Sequence, residues 1–168
     1  KNLDKLIVFV HWGAEYQDQP NLYQKNFNQF FKRQGVDIVI GSHPHVVQPM
    51  HYIKNNDNEF LTVYSLGNFV SNQRDFRKDG GVMFRCSIVK RDKASISDKE
   101  YILTWVNKFY KNKKWHYEVL PCSNKTYGKE YFSRNEDYVK MQVYSDHAKN
   151  LFADYNINIL AVSYTHLT

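Results

Sequence analysis

The sequence predicts an α/β fold, a βαβ unit followed by a set of antiparallel strands. Three observations carry this. Val36, Ile38, Val39 and Ile40 form an apolar run of the kind found in strands buried on both faces of a parallel sheet, and residues 6–10 (LIVFV) are another, continuous apolar run. Between them, residues 21–34 place Leu22, Phe27, Phe30 and Phe31 near helical spacing, with Asp18 and Pro20 as start signals and Gly35 as a stop. Beyond Val46 the pattern changes to short alternating segments separated by turns, as in hairpins with one wet face.

Taken in order, the hairpin region opens with a strand at 51–53, a turn in KNNDN, and a strand at 60–66 (FLTVYSL) that ends at Gly67-Asn68. Gly80-Gly81 precedes 82–90, where Val82, Phe84, Cys86 and Ile88 alternate with more polar neighbours, and further strands are expected at 94–106 and 115–120. Ser133 and Glu136 have the S-x-x-E spacing of a capping box, followed by a helix expected to bury Tyr138, Met141, Tyr144, Ala148 and Leu151. The expected organisation is one unit over 1–132 and a helical segment over 133–162. The closing SYTHLT, 163–168, resembles a sequencing-adapter read-through and reads as a non-native tail, which would remove His166 from the chemistry.

With 168 residues, 42% of them hydrophobic and 16% aromatic, the chain is long and apolar enough for one sizeable core. The opening at Lys1, a few residues before a core strand, suggests a piece of something longer. A net charge of +6 suits an anionic partner. The basic residues are scattered, however, and the densest cluster, Lys108, Lys111, Lys113 and Lys114, reads as the solvated tip of a hairpin. No nucleic-acid motif surrounds the flanking Tyr110 and Trp115, so nucleic acid is not expected as a partner. Cys86 and Cys122 lack any CxxC spacing; two free thiols are the expected state, with a disulfide as the alternative.

The chemistry concentrates where the two predicted parallel strands end. The first runs into His11 of HWGAEY and the second into GSHPH, with His43 and His45. In an extended backbone residues i and i+2 point the same way, and Pro44 favours extension at His43, so both imidazoles are expected to face one site. A right-handed crossover brings His11 to the same sheet edge, where open α/β sheets bind ligands. One histidine there is more often a core residue; three converging favour a metal site. Glu15, four residues after His11, reads either as a proton-transfer or outer carboxylate or as an ordinary loop acid. Asn68 in YSLGNF reads either as a ligand-orienting amide or as a turn residue.

HWGAEY, GVDIVIGSHPHVVQP and YSLGNFV, in this order, resemble the bacterial capsule-synthesis (CapA-type, poly-gamma-glutamate biosynthesis) family, over roughly residues 6–121. The family looks like a branch of the calcineurin-like metallophosphoesterases. The resemblance implies the C-terminal part of a four-layer α/β/β/α metallophosphoesterase-like sandwich with two divalent metal ions (Mn, Fe or Zn) in the parent protein. It makes His11, His43 and His45 metal ligands and places Glu15 and Asn68 at catalytic motif positions. It implies an anionic polymer or phosphorylated substrate, membrane capsule-synthesis components as partners, and a membrane or cell-envelope setting. The family's Asp, Gly-Asp and Asn-His blocks should precede Lys1, so this portion alone is expected to be inactive. The alternative is a non-catalytic polymer-binding or assembly component of a capsule machine.

Overall fold

The computed structural model describes residues 3–55, 58–123 and 127–162; the tail over 163–168 lies outside them, as does the middle of KNNDN. Strands β1 (Ile7–His11) and β2 (Ile38–Ser42) pair in parallel, with His11 opposite Ser42. The crossover between them is α1 (Leu22–Arg33). Strands β3 (Val47–Asn55) and β4 (Asn58–Leu66) form an antiparallel hairpin. This hairpin joins the first sheet through β4, which runs parallel to β2, giving the order β1-β2-β4-β3. The hairpin is therefore not part of a purely antiparallel half. The reason lies in β4: seven consecutive residues from Glu59 to Ser65 are buried, and only a central strand covers both faces of such a run.

The second sheet is an antiparallel meander of β5 (Gly80–Lys90), β6 (Ala94–Lys111) and β7 (Lys114–Pro121), with the short β8 (Leu160–Ala161) parallel to β6. Gly67 and Gly81 bridge the two sheets. The 111–114 lysine cluster does form the β6–β7 turn, with Asn112 and Lys113 both at positive φ. Lys108 lies further down the hairpin, over the rings of Trp115 and Tyr117 and bonded to Asn72 Oδ1.

Two clusters make the interior. On one face of the first sheet, Trp12, Val39, Phe60 and Tyr64 pack with the partly buried Phe31 of α1. On the other, Ile38, Leu61 and Val63 share a core with Val82, Leu103 and Trp105 of the second sheet and with Met141, Tyr144 and Phe152 of α2 (Asn135–Ala153). Both thiols are free and partly buried.

Both helices form where the periodicity places them; α2 buries the expected face, whereas α1 buries a different one. In α1, Leu22, Phe27 and Phe30 are exposed, and the residues turned to the sheet are Gln24 and Asn28. Asn28 Nδ2 donates to Tyr64 Oη at 3.0 Å and its Oδ1 accepts from Thr62 Oγ1 at 2.9 Å, so paired amides replace apolar contact. In α2 the Ser133–Glu136 box does not form. The helix begins after Arg134, whose guanidinium makes two bonds to the buried Asp137 carboxylate at 2.9 and 2.8 Å. Met141, Tyr144 and Ala148 are buried as expected, with Phe152 rather than Leu151 completing the stripe.

Candidate metal centre

The ends of β1, β2 and β4 meet at one edge of the first sheet, and three loops leave from there. The loop after β2 carries the histidines. Gly41 passes so close to β4 that an added Cβ would lie 2.2 Å from the Tyr64 carbonyl oxygen and 2.4 Å from Trp12 Nε1. Trp12 locks that approach by donating Nε1–H to the same carbonyl at 2.9 Å. The chain then bends. His43 has φ 103° and His45 φ 59°, so the segment is not extended. The two rings still reach one site, but through left-handed backbone rather than through strand alternation. Non-glycine residues held there cost about 1–3 kcal/mol each and persist only where their surroundings fix them. Those surroundings are visible: Pro44 and Val46 are buried, and the Pro44 carbonyl accepts from Tyr16 N at 2.7 Å.

The loop after β1 brings Glu15 alongside. One ligating atom from each of Glu15, His43 and His45 lies within 4.8 Å of the others, and this is the one such group of three among the described residues. Glu15 thus lies within reach of the same point as the two imidazoles. His11 is adjacent, its ring centroid 4.5 Å from that of His43, but exposed and outside the group; its Nδ1 is 3.4 Å from Ser42 Oγ.

The loop is pinned by amides that the sequence did not flag. Asn21 and Gln24 form a reciprocal capping box at the start of α1. Gln24, fully buried, also donates Nε2–H to Gln48 Oε1 at 2.8 Å, and Gln48 donates to the Gln17 carbonyl at 2.8 Å. The N-x-x-Q spacing was a readable signal for the cap; nothing in the sequence marked Gln48.

Asn68 decides the proton position on His45. Its Nδ2 faces the Lys78 carbonyl at 2.8 Å, an oxygen that can only accept, so the amide nitrogen is fixed on that side. Oδ1 therefore faces His45 Nδ1 at 3.0 Å, and Nδ1 must carry the hydrogen. In the neutral ring the Nε2 lone pair is then turned toward Glu15 Oε1, 3.8 Å away. Two imidazoles and a carboxylate suit Zn, Mn or Fe, so the donors present fit a divalent metal ion. Around them, the Lys78 ammonium lies 4.4 Å from the centre of the Tyr16 ring and pairs with Asp75 at 2.5 Å, and Arg77 pairs with Asp18 at 2.6 Å, so each of these cations is compensated by a carboxylate.

Residues 1–73 match the sequence family described as bacterial capsule synthesis protein PGA_cap. Over 73 residues, 44% of the chain, the sequence is 40% identical to the PGA biosynthesis protein CapA of Bacillus subtilis (strain 168), covering 18% of that protein. Over 72 residues, 43% of the chain, it is 39% identical to the capsule biosynthesis protein CapA of Bacillus anthracis, covering 16% of that protein. The matched region thus spans less than a fifth of the length of either relative. His11, Glu15, His43, His45 and Asn68 all fall inside it.

Proposed function

We propose that the chain, whose residues 1–73 match the bacterial capsule synthesis (CapA) family, is part of a metal-dependent hydrolase of metallophosphoesterase type acting in capsule or poly-gamma-glutamate biosynthesis. The observation that carries the proposal is the convergence of Glu15, His43 and His45, with His45 Nε2 3.8 Å from Glu15 Oε1. His43, His45 and Glu15 would hold one divalent ion. A second ion, together with the rest of the catalytic set, would draw on His11 and on ligands from other parts of the parent protein.

A bound metal ion supplies Lewis acidity and a water of lowered pKa. The chain's own residues do the rest. The Asn68 amide holds the His45 ring in the tautomer that leaves Nε2 free. Glu15, half exposed, is placed to ligate or to take a proton from a bound water. In this proposal the work takes place at the cell envelope, among membrane-bound capsule components. No helix among the described residues is long and apolar enough to cross a membrane.

Titration of the purified chain with Mn2+ or Zn2+ tests the site. Stoichiometric binding is expected, with His45→Ala weakening it by at least roughly 100-fold, the upper end of what losing an outer partner costs. Equal affinity in wild type and variant would sink the proposal. The second reading, a non-catalytic component that binds an acidic polymer, is favoured by the +6 charge. Salt-sensitive binding of polyglutamate by a metal-free chain, with unchanged affinity in His45→Ala, would select it.

A further inference from the structure

We propose that Gln73 is a positioning residue for His45, bridging the two groups that clamp its imidazole. The inference rests on the metal-site reading above and deepens it. On its Nδ1 side the ring meets Asn68 Oδ1 at 3.0 Å, and the Tyr16 ring stands over it with centroids 6.0 Å apart. These two jaws come from different loops, Tyr16 from the one after β1 and Asn68 from the one after β4. Gln73 spans them: its Oε1 accepts from Asn68 Nδ2 at 2.9 Å and its Nε2 donates to Tyr16 Oη at 3.3 Å.

The direction of every bond in this chain follows from one fixed point. The Lys78 carbonyl can only accept, so Asn68 must present its NH2 group there and, with its second hydrogen, to Gln73. Gln73 must answer with oxygen, because a reversed amide would set N–H against N–H. Its NH2 group then faces Tyr16 Oη, which accepts. Ser71 Oγ anchors the Gln73 backbone N–H at 3.0 Å, and Pro44 O anchors that of Tyr16 at 2.7 Å, so neither jaw is free to drift. Tyr16 itself has φ 63°, a further strained position spent on this arrangement. Gln73 touches no ligating atom. Its effect passes through Asn68, whose rotation it blocks, and so through the hydrogen on His45 Nδ1. Outer partners of this kind typically change metal affinity 10–100-fold.

The test compares wild type, Gln73→Leu, Gln73→Glu and Tyr16→Phe in the full chain, reading Mn2+ or Zn2+ affinity by calorimetry and the His45 tautomer from its ring nitrogen resonances without metal. Gln73→Leu should lower affinity roughly 10–100-fold and move His45 from the Nδ1–H form to a mixture. Gln73→Glu should restore most of the affinity and the Nδ1–H form, since a carboxylate accepts from Asn68 while the Tyr16 hydroxyl turns to donate. Tyr16→Phe removes only the hydroxyl, keeps the packing, and should shift both readouts the same way by less. Wild-type affinity and an unmoved tautomer in Gln73→Leu and Tyr16→Phe would overturn the positioning role and leave the metal site standing. A wild type that binds no metal would overturn the metal-site reading instead, and the tautomer comparison would still decide the role of Gln73.

Discussion

The two ends of this molecule are held together by different means. Around α2 and the second sheet, Trp105, Met141, Tyr144, Ala148 and Phe152 are at most 1% exposed, and their regular elements meet through apolar volume. At the histidine edge of the first sheet, order comes from hydrogen bonds between side chains. Gln24, Gln48, Asn68 and Gln73 hold loops whose backbones sit at positive φ at Gly13, Tyr16, His43 and His45. Apolar packing is non-directional, whereas a hydrogen-bond network fixes which atom faces which. A ligand site needs the second property. Damage to the first region should therefore appear as lost stability, and damage to the second as lost binding at modest cost in stability.

The hardest test of that division is Trp105→Ala. The ring is fully buried, packs edge-on to Phe132, lies under the Arg74 guanidinium and donates Nε1–H to Asp79 Oδ2 at 2.8 Å. Deleting it should cost about 3–5 kcal/mol from the cavity alone, and roughly 1–3 kcal/mol more for the bond partner left in the interior. That is a large part of a typical total of about 5–15 kcal/mol. Urea unfolding measures it. A loss below about 2 kcal/mol would show that the apolar end is not what holds the fold.

Gly41→Ala probes the seam between the regions. The added methyl would meet the Tyr64 carbonyl at 2.2 Å, and β2 can yield only by moving away from β4 or by dislodging Trp12. Overpacking of this kind costs about 1–3 kcal/mol. Because the displaced segment leads directly into His43 and His45, metal affinity should fall together with stability. A variant that loses stability but binds as before would mean that the loop is fixed by its own bonds, independently of the sheet.

How far the sequence revealed these features follows the same line. Strands β2 and β4 and helix α2 were readable because burial leaves a trace in residue type, whereas β1, an edge strand with Phe9 79% exposed, and α1 were read from apolar residues that the structure leaves largely exposed. The location of the histidines was readable because strand ends are defined by those same runs. The conformation that unites His43 and His45 was not: Pro44 argued for extension, and the bonds that impose the left-handed backbone instead come from Tyr16, Trp12 and Tyr64, distant in sequence. The buried face of α1 was misread for a related reason. Gln24 and Asn28 look like surface residues until Gln48, Thr62 and Tyr64 supply their partners. Asn68 was noticed through its motif, but its bond to His45 and the role of Gln73 depend on a loop conformation with no pattern in the sequence.

Asp79 gives the finest test, because it is a polar group placed in the apolar region. It is 3% exposed; Oδ2 accepts from Trp105, while Oδ1 has no hydrogen-bond partner among the described residues, nor does Arg74 Nη1. Burial pushes its carboxyl above the usual value of 3.8, against the opposing pull of the Trp105 bond and the Arg74 charge. The native state therefore holds its proton more tightly than the unfolded chain. Stability contributed by the protonated form is complete below pH 3.8 and declines as pH rises through the higher native value. Asp79→Asn keeps an acceptor for Trp105 and removes the titration. Its melting temperature relative to wild type should improve between pH 4 and pH 7, by no more than a few degrees, with metal affinity unchanged. Parallel pH profiles would mean that Arg74 compensates the buried charge. The apolar end would then contain an ion pair as carefully placed as the amides at the other edge, and the contrast between the two regions would be one of degree.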